Sequence, residues 1–169
     1  VNSAAGIESP RDLEGKKVGI PFWVNTAGIW ARGALQHYYG VDLTRIRWVS
    51  LRSDIMSLPL GIRVDQIDRR NDLDSMLLAG SLDAVIDPNV LPSISKRDPR
   101  VRRLFLDYKT KEHTYFTKTG IFPISHVVTL SQEFVKEHPT APVSLLKAFR
   151  HARDEAFNQL QGGDPQVLV

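Results

Sequence analysis

The chain has 169 residues, 42% of them hydrophobic and 24% charged, which is enough for one α/β domain with a core of its own, or one lobe plus part of another. It contains no cysteine, which excludes disulfides, thiolate metal sites and a cysteine nucleophile, and no apolar run approaches the ~20 residues that span a bilayer. The net charge of +3 suits an anionic small ligand. The basic residues fall in short clusters such as Arg102 and Arg103, interrupted by Asp68, Asp72 and Asp98, unlike the continuous footprint of a nucleic-acid binder.

The first predicted element is a short helical turn over residues 10–13. Ser9 stands at its N-cap, Pro10 at its first position, and Gly15 ends it. KVGIP, residues 17–21, reads as a strand closed by its proline. The polar pair Asn25 and Thr26 then opens a helix over 26–39, with Ile29, Ala34, Leu35 and Tyr38 at helical spacing and Gly40 as its stop. IRWVSL, residues 46–51, is the second strand. Pro59 and Gly61 make 52–70 irregular, with a short strand near 62–64. Asp72 caps a helix over 73–79 that stops at Gly80, and Ala84-Val85-Ile86 is a buried strand. An exposed strand is expected over 101–106 and a short extended piece over 114–117. HVVTL, residues 126–130, reads as a strand, Ser131 caps a helix ending near His138, and a long helix over 142–160 ends at Gly162-Gly163.

Strand, helix, strand, helix, strand in this order predicts a mostly parallel sheet with helices on both faces. Glycine and proline cluster at 120–123 between β-like segments, which makes that stretch the expected boundary. The expected division is a ligand-binding lobe over 9–122, followed by a return strand and C-terminal helices over 123–169. The opening VNSAAGIESP holds neither an initiator Met nor a signal peptide. The chain is therefore expected to be a fragment or a processed product, with its compartment unread.

In open α/β sheets ligands bind beyond the carboxyl ends of the strands. Pro21-Phe22 and Asp87-Pro88 both occupy such ends and should share one rim. The helix that opens at Asn25 and Thr26 has free leading N–H groups and a positive dipole end there, suited to a carboxylate, sulfonate or phosphate. Equally, Thr26 caps its own helix and binds nothing. Phe22 or Trp23 stacks on an aromatic ligand, or packs into the core. Asp87 accepts a ring-hydroxyl hydrogen bond or does acid–base work, or is a turn residue; Asn89 stands beside it. His37 falls about two turns beyond Trp30, far from the helix tip, and reads as structural. His113 and Tyr115 either close over a ligand or lie in a solvated hairpin. No histidine pair has the i, i+4 spacing of a helical zinc site, and no metal is expected.

The phrases DLEGKKVGIP and LLAGSLDAVI resemble the second lobe of type 2 periplasmic-binding-protein-like folds, as in receptors for nitrate, sulfonate and thiamine precursors. IWARGALQHYYGVDLTRIRWV and GIFPISHVVTL are similar to the 4,5-dihydroxyphthalate decarboxylase-like family. The motif residues are Trp30, Arg32-Gly33, Gln36-His37, Tyr39-Gly40-Val41, the run from Gly120 to Ile124 and His126. This resemblance covers residues 9 to about 157. It implies an α/β lobe facing a second lobe that is largely absent from this chain, with the ligand in the cleft between them. It further implies a cofactor-independent decarboxylase acting on a dihydroxyphthalate-like aromatic acid. The helix terminus at Asn25 and Thr26 would hold a carboxylate, with Phe22, Trp30, Asn89 and Phe122 lining the ligand. Asp87 would engage a hydroxyl and His126 would deliver a proton.

The same architecture also serves as the solute-binding component of an ABC transporter, with a permease as partner, or as a regulatory ligand-binding domain. The decarboxylase reading places the protein in the cytoplasm and the receptor reading in the periplasm. An exposed half-cleft bearing Phe22, Trp23 and Phe122 would be an apolar patch able to pair two copies.

Overall fold

The computed structural model describes residues 1–52 and 57–161. The chain forms two compact units, Val1–Ser125 and His126–Val169. In the first unit a 3-10 turn, Pro10–Leu13, precedes strand β1, Lys17–Ile20. Helix α1, Thr26–Gly33, runs directly into a π-helical turn, Ala34–Tyr38. Strands β2, Arg47–Ser50, and β3, Val64–Gln66, follow, then helix α2, Leu73–Leu78, strand β4, Ala84–Val85, and the short helix α3, Pro92–Ser95. Helix α4, Tyr108–Thr119, completes the elements of this unit. The second unit holds helices α5, Gln132–Glu137, and α6, Ala141–Gln161. No helix among the described residues is long and apolar enough to cross a membrane.

The four strands form one sheet in the order β3-β2-β1-β4, and every pairing is parallel. Side-chain alternation along these strands builds two cores. Val18, Ile20, Trp48 and Ala84 join Leu13, Leu35, Val41 and Leu43 in one cluster. Val49 joins Leu73, Leu77, Leu82 and Val101 in the other. Successive β2 residues, Trp48 and Val49, thus feed opposite faces, and the sheet is covered on both sides, as parallel sheets require. Gly19 faces the second cluster. A Cβ there would lie 2.6 Å from Leu82 Cδ1 and 3.1 Å from Leu73 Cδ2, so the absence of a side chain lets the α2 layer close on the sheet.

The element boundaries follow local chemistry. Asp72 caps α2 by accepting from Asp74 N and Ser75 N. Ser131 caps α5 by accepting from Phe134 N at 3.1 Å. Gly40, at φ 68°, ends the first helix in the left-handed conformation that glycine adopts without strain.

Several expectations are corrected. The strand near 62–64 falls at Val64–Gln66, where it pairs with β2. The stretch 101–106 is not a strand. Only Val101 makes a bridge, with Asn2, while the Arg102 guanidinium is drawn to Ile7 O at 2.7 Å and Glu8 Oε1 at 2.6 Å. The piece over 114–117 lies inside α4. Thr114, Thr117 and Thr119 return their hydroxyls to the carbonyls four residues back, and Tyr115 packs edge-on against Tyr38, with centroids 5.1 Å apart. These contacts outweigh the β-propensity of Thr and Tyr. Residues 126–130 form no strand; β-branched residues become one only beside a partner ladder, and among the described residues this stretch has none. The expected stop at Gly162-Gly163 lies outside the described residues.

Two outcomes test this packing. Gly19→Val overfills the second core and should lower stability by about 1–3 kcal/mol in urea denaturation. Asp72→Ala should cost about 1 kcal/mol at neutral pH through loss of the cap. The Ser75 hydroxyl, then the backbone N–H of Ser75, holds the Asp72 carboxyl below its usual value. A depressed folded-state value gives stability that is present above the unfolded value of about 3.9 and is lost as pH falls through the folded one. The gap between wild type and Asp72→Ala should therefore narrow in strong acid, as unfolding curves collected from pH 7 downward would reveal.

Candidate functional site

Because all four strands are parallel, their carboxyl ends fall along one edge of the sheet. β1 leads into 21–25, β2 ends at Ser50, and β4 leads into 86–89. The buried Ser50 hydroxyl, 2.8 Å from Arg52 O and 3.5 Å from Pro21 O, ties the ends of β1 and β2 together.

The turn after β1 is stitched from within. Trp23 is buried, edge-on to Trp48 with centroids 5.3 Å apart. The Arg32 guanidinium, also buried, stacks 3.9 Å above the Trp23 ring and donates to Trp23 O. Asn25 is 8% exposed. Its side-chain oxygen accepts from Gly28 N and its Nδ2 donates to Phe22 O at 2.9 Å. A Cβ on Gly28 would come within 2.6 Å of that oxygen and 2.9 Å of Arg32 Nη1, so this close approach needs glycine. Asn25, not Thr26, is therefore the cap; Thr26 is the first helical residue and is exposed. Phe22 is half-buried beneath Arg52, whose guanidinium lies 5.3 Å from its ring. Burial of Trp23 removes it from the apolar patch expected to pair two copies.

Two adjoining cavities open beside this region, of about 450 Å³ and about 720 Å³. Both are within the range of small-molecule sites. Ala31, Ala34, Tyr39, Phe105, Tyr108 and Glu112 line both. Asp87 and Asn89 border the first. Asp87 Oδ1 accepts from Asn89 N at 2.8 Å, a turn-forming bond that leaves its second carboxylate oxygen without a partner among the described residues. Trp30 and Phe122 border the second cavity, and Trp30 Nε1 donates to Ile124 O at 3.0 Å. Burial, then the neighbouring Tyr38, Asp107 and Tyr115, raises the Tyr39 phenol above its usual value, so it is protonated at neutral pH.

The structure thus brings Asp87 with Asn89 into one cavity wall, and Trp30 with Phe122 into the next. Phe22, Asn25 and Thr26 lie on the β1–α1 turn, outside both linings. His126 is exposed and begins the second unit. Sequence reasoning missed Tyr39, Arg103, Phe105 and Tyr108 as cavity residues. The π turn moves Tyr39 off the helical spacing, and the others come together only through the position of α4. His113 and Tyr115 lie on that helix, not in a hairpin.

These features define an α/β unit: a four-stranded parallel sheet, with cavities lined in part by residues that follow its strand ends. No family model matches the chain. It is 30% identical over 168 residues to the 4,5-dihydroxyphthalate decarboxylase of Comamonas testosteroni, an alignment covering 95% of this chain and 51% of that protein. It is 31% identical over 115 residues to the 4,5-dihydroxyphthalate decarboxylase of Pseudomonas putida, covering 63% of this chain and 45% of that protein. The chain resembles the first along almost its whole length and the second along 63% of it, and it spans about half the length of the curated relatives it matches.

Asn25→Ala should lower stability by about 1–2 kcal/mol with no ligand present, since it removes a cap and a turn hydrogen bond together. Thermal unfolding of the ligand-free protein reads this; an unshifted midpoint would return Asn25 to a purely binding role.

Proposed function

We propose that the full-length protein decarboxylates a dihydroxyphthalate-like aromatic diacid, with this chain supplying one wall of the site as a type 2 periplasmic-binding-protein-like lobe facing a second lobe. The observation that carries this reading is the similarity to two proteins of that activity, joined to an aromatic-lined cavity that follows a parallel-strand end and is bordered by Asp87 and Asn89.

The chemistry needs no electron acceptor beyond the ring. In 4,5-dihydroxyphthalate each hydroxyl lies para to a carboxylate-bearing carbon and feeds electron density to it. That carbon takes a proton. The bond to the carboxylate then breaks, its electron pair returns to the ring and carbon dioxide leaves. The protein must hold one carboxylate, polarise a hydroxyl and deliver the proton. The unpartnered oxygen of Asp87 is suited to accept from a ring hydroxyl, which strengthens its electron donation. His126 is assigned the proton delivery, a general-acid role an imidazole can fill; that assignment rests on its place in the GIFPISHVVTL phrase. The leading N–H groups of α1 at Thr26 are the assigned rest for one carboxylate. Under this reading the protein works in the cytoplasm.

The test is incubation of the full-length protein with 4,5-dihydroxyphthalate, following carbon dioxide release and binding calorimetry on one sample. Release is the expected result. Binding without release would instead support a receptor that works with an ABC permease in the periplasm. Asp87→Asn should lower kcat/KM roughly 10- to 100-fold, and His126→Ala should lower kcat roughly 100-fold or more. Unchanged turnover in either variant removes the role assigned to that residue.

A further inference from the structure

The wall shared by the two cavities is built by an irregularity. In an uninterrupted α-helix residues 31, 34 and 38 would share a face. The wide turn at Ala34–Tyr38, in which Tyr39 N reaches back to Ala34 O at 3.1 Å, inserts one extra residue. Tyr39 therefore joins Ala31 and Ala34 on the cavity side, in the place position 38 would have held. Such π turns are frequent at functional sites. Ala31 and Ala34 leave the helix side of the wall recessed. Around the recess stand three rings: Tyr39, Phe105, which stacks on it at 5.5 Å and 28°, and Tyr108. A recess of small residues bounded by stacked rings suits a planar aromatic ligand.

The lining of the first cavity also carries two arginines. Arg102 spends its guanidinium on Ile7 O and Glu8. Arg103 stands next to it with its guanidinium 5.0 Å from the Tyr108 ring, and no carboxylate or carbonyl holds it among the described residues. The two linings carry Arg102, Arg103, Lys109 and Lys111 against Asp87 and Glu112, a balance that favours an anion. A guanidinium presents its donors in the fork that a carboxylate accepts bidentately.

We propose that Arg103 is the specificity-determining residue for a ring carboxylate, with the Tyr39–Phe105–Tyr108 wall holding the ring beside it. This rests on the decarboxylase reading and deepens it, since it gives the diacid's other carboxylate, the one not assigned to the α1 terminus, to Arg103, in the same cavity as hydroxyl recognition at Asp87.

The experiment is calorimetry on the full-length protein with two inert probes: phthalate, which has the carboxylates but no hydroxyls, and catechol, which has the hydroxyls but no carboxylates. Arg103→Met should weaken phthalate roughly 10- to 100-fold and leave catechol within about twofold. Arg103→Lys, which keeps the charge and loses the fork, should fall between wild type and Arg103→Met for phthalate. Tyr39→Leu should weaken both probes, because it removes ring contact and not charge. Phthalate binding within twofold of wild type in Arg103→Met, in a protein that still releases carbon dioxide from 4,5-dihydroxyphthalate, overturns this inference and leaves the decarboxylase reading standing. A wild-type protein that neither binds phthalate nor releases carbon dioxide overturns both.

Discussion

The constraint on which the rest depends is the burial of β1 on both faces at the centre of a parallel sheet. Val18 and Ile20 fill one core, and Gly19 yields the other face to Leu82 and Leu73. A strand so enclosed must pair on both edges, with β2 and with β4, because an unpaired backbone group away from water costs as much as a lost hydrogen bond. Pairing in parallel then brings the ends of β1, β2 and β4 to one edge. The rim that carries Asp87 and the β1–α1 turn is a consequence of that burial.

Rigidity of the rim is achieved differently at its two ends. After β1, a buried arginine stacked on a buried tryptophan, with an asparagine spanning the turn, leaves little freedom to the backbone. Buried charge is tolerated there because the guanidinium face meets a ring and its edge meets a carbonyl. After β4, a single Asp87–Asn89 turn bond does the holding, and the neighbouring wall is aromatic and recessed. The chain spans about half the length of the 4,5-dihydroxyphthalate decarboxylases it resembles.

Much of the first unit was legible from residue patterns. The caps at Ser9, Asp72 and Ser131, and the glycine stops, are local hydrogen-bonding and steric effects that act within a few residues. The strands at 17–21, 46–51 and 84–86 were legible because double burial demands continuous apolar runs. Where local propensity and packing disagreed, packing won. Thr114 and Tyr115 look extended as residues but sit in a helix, because Tyr115 meets Tyr38 and the threonine hydroxyls bond backward along the helix. HVVTL has the composition of a strand but, among the described residues, no neighbour with which to form one.

The sequence by itself determined strands β1, β2 and β4, their order along the chain, the polar opening of α1 at Asn25-Thr26 and the placement of Asp87 at a strand end, since each follows from interactions between residues close in sequence or from the alternation of buried faces. Only the tertiary structure decided that Asn25 is spent on its own turn, that Trp23 is core, and that Tyr39, Arg103, Phe105 and Tyr108 meet around one recess. Those residues come from the end of one helix, the chain before another and that helix's first turn. No spacing rule links them; they meet because a π turn rotates one and the packing of α4 delivers another.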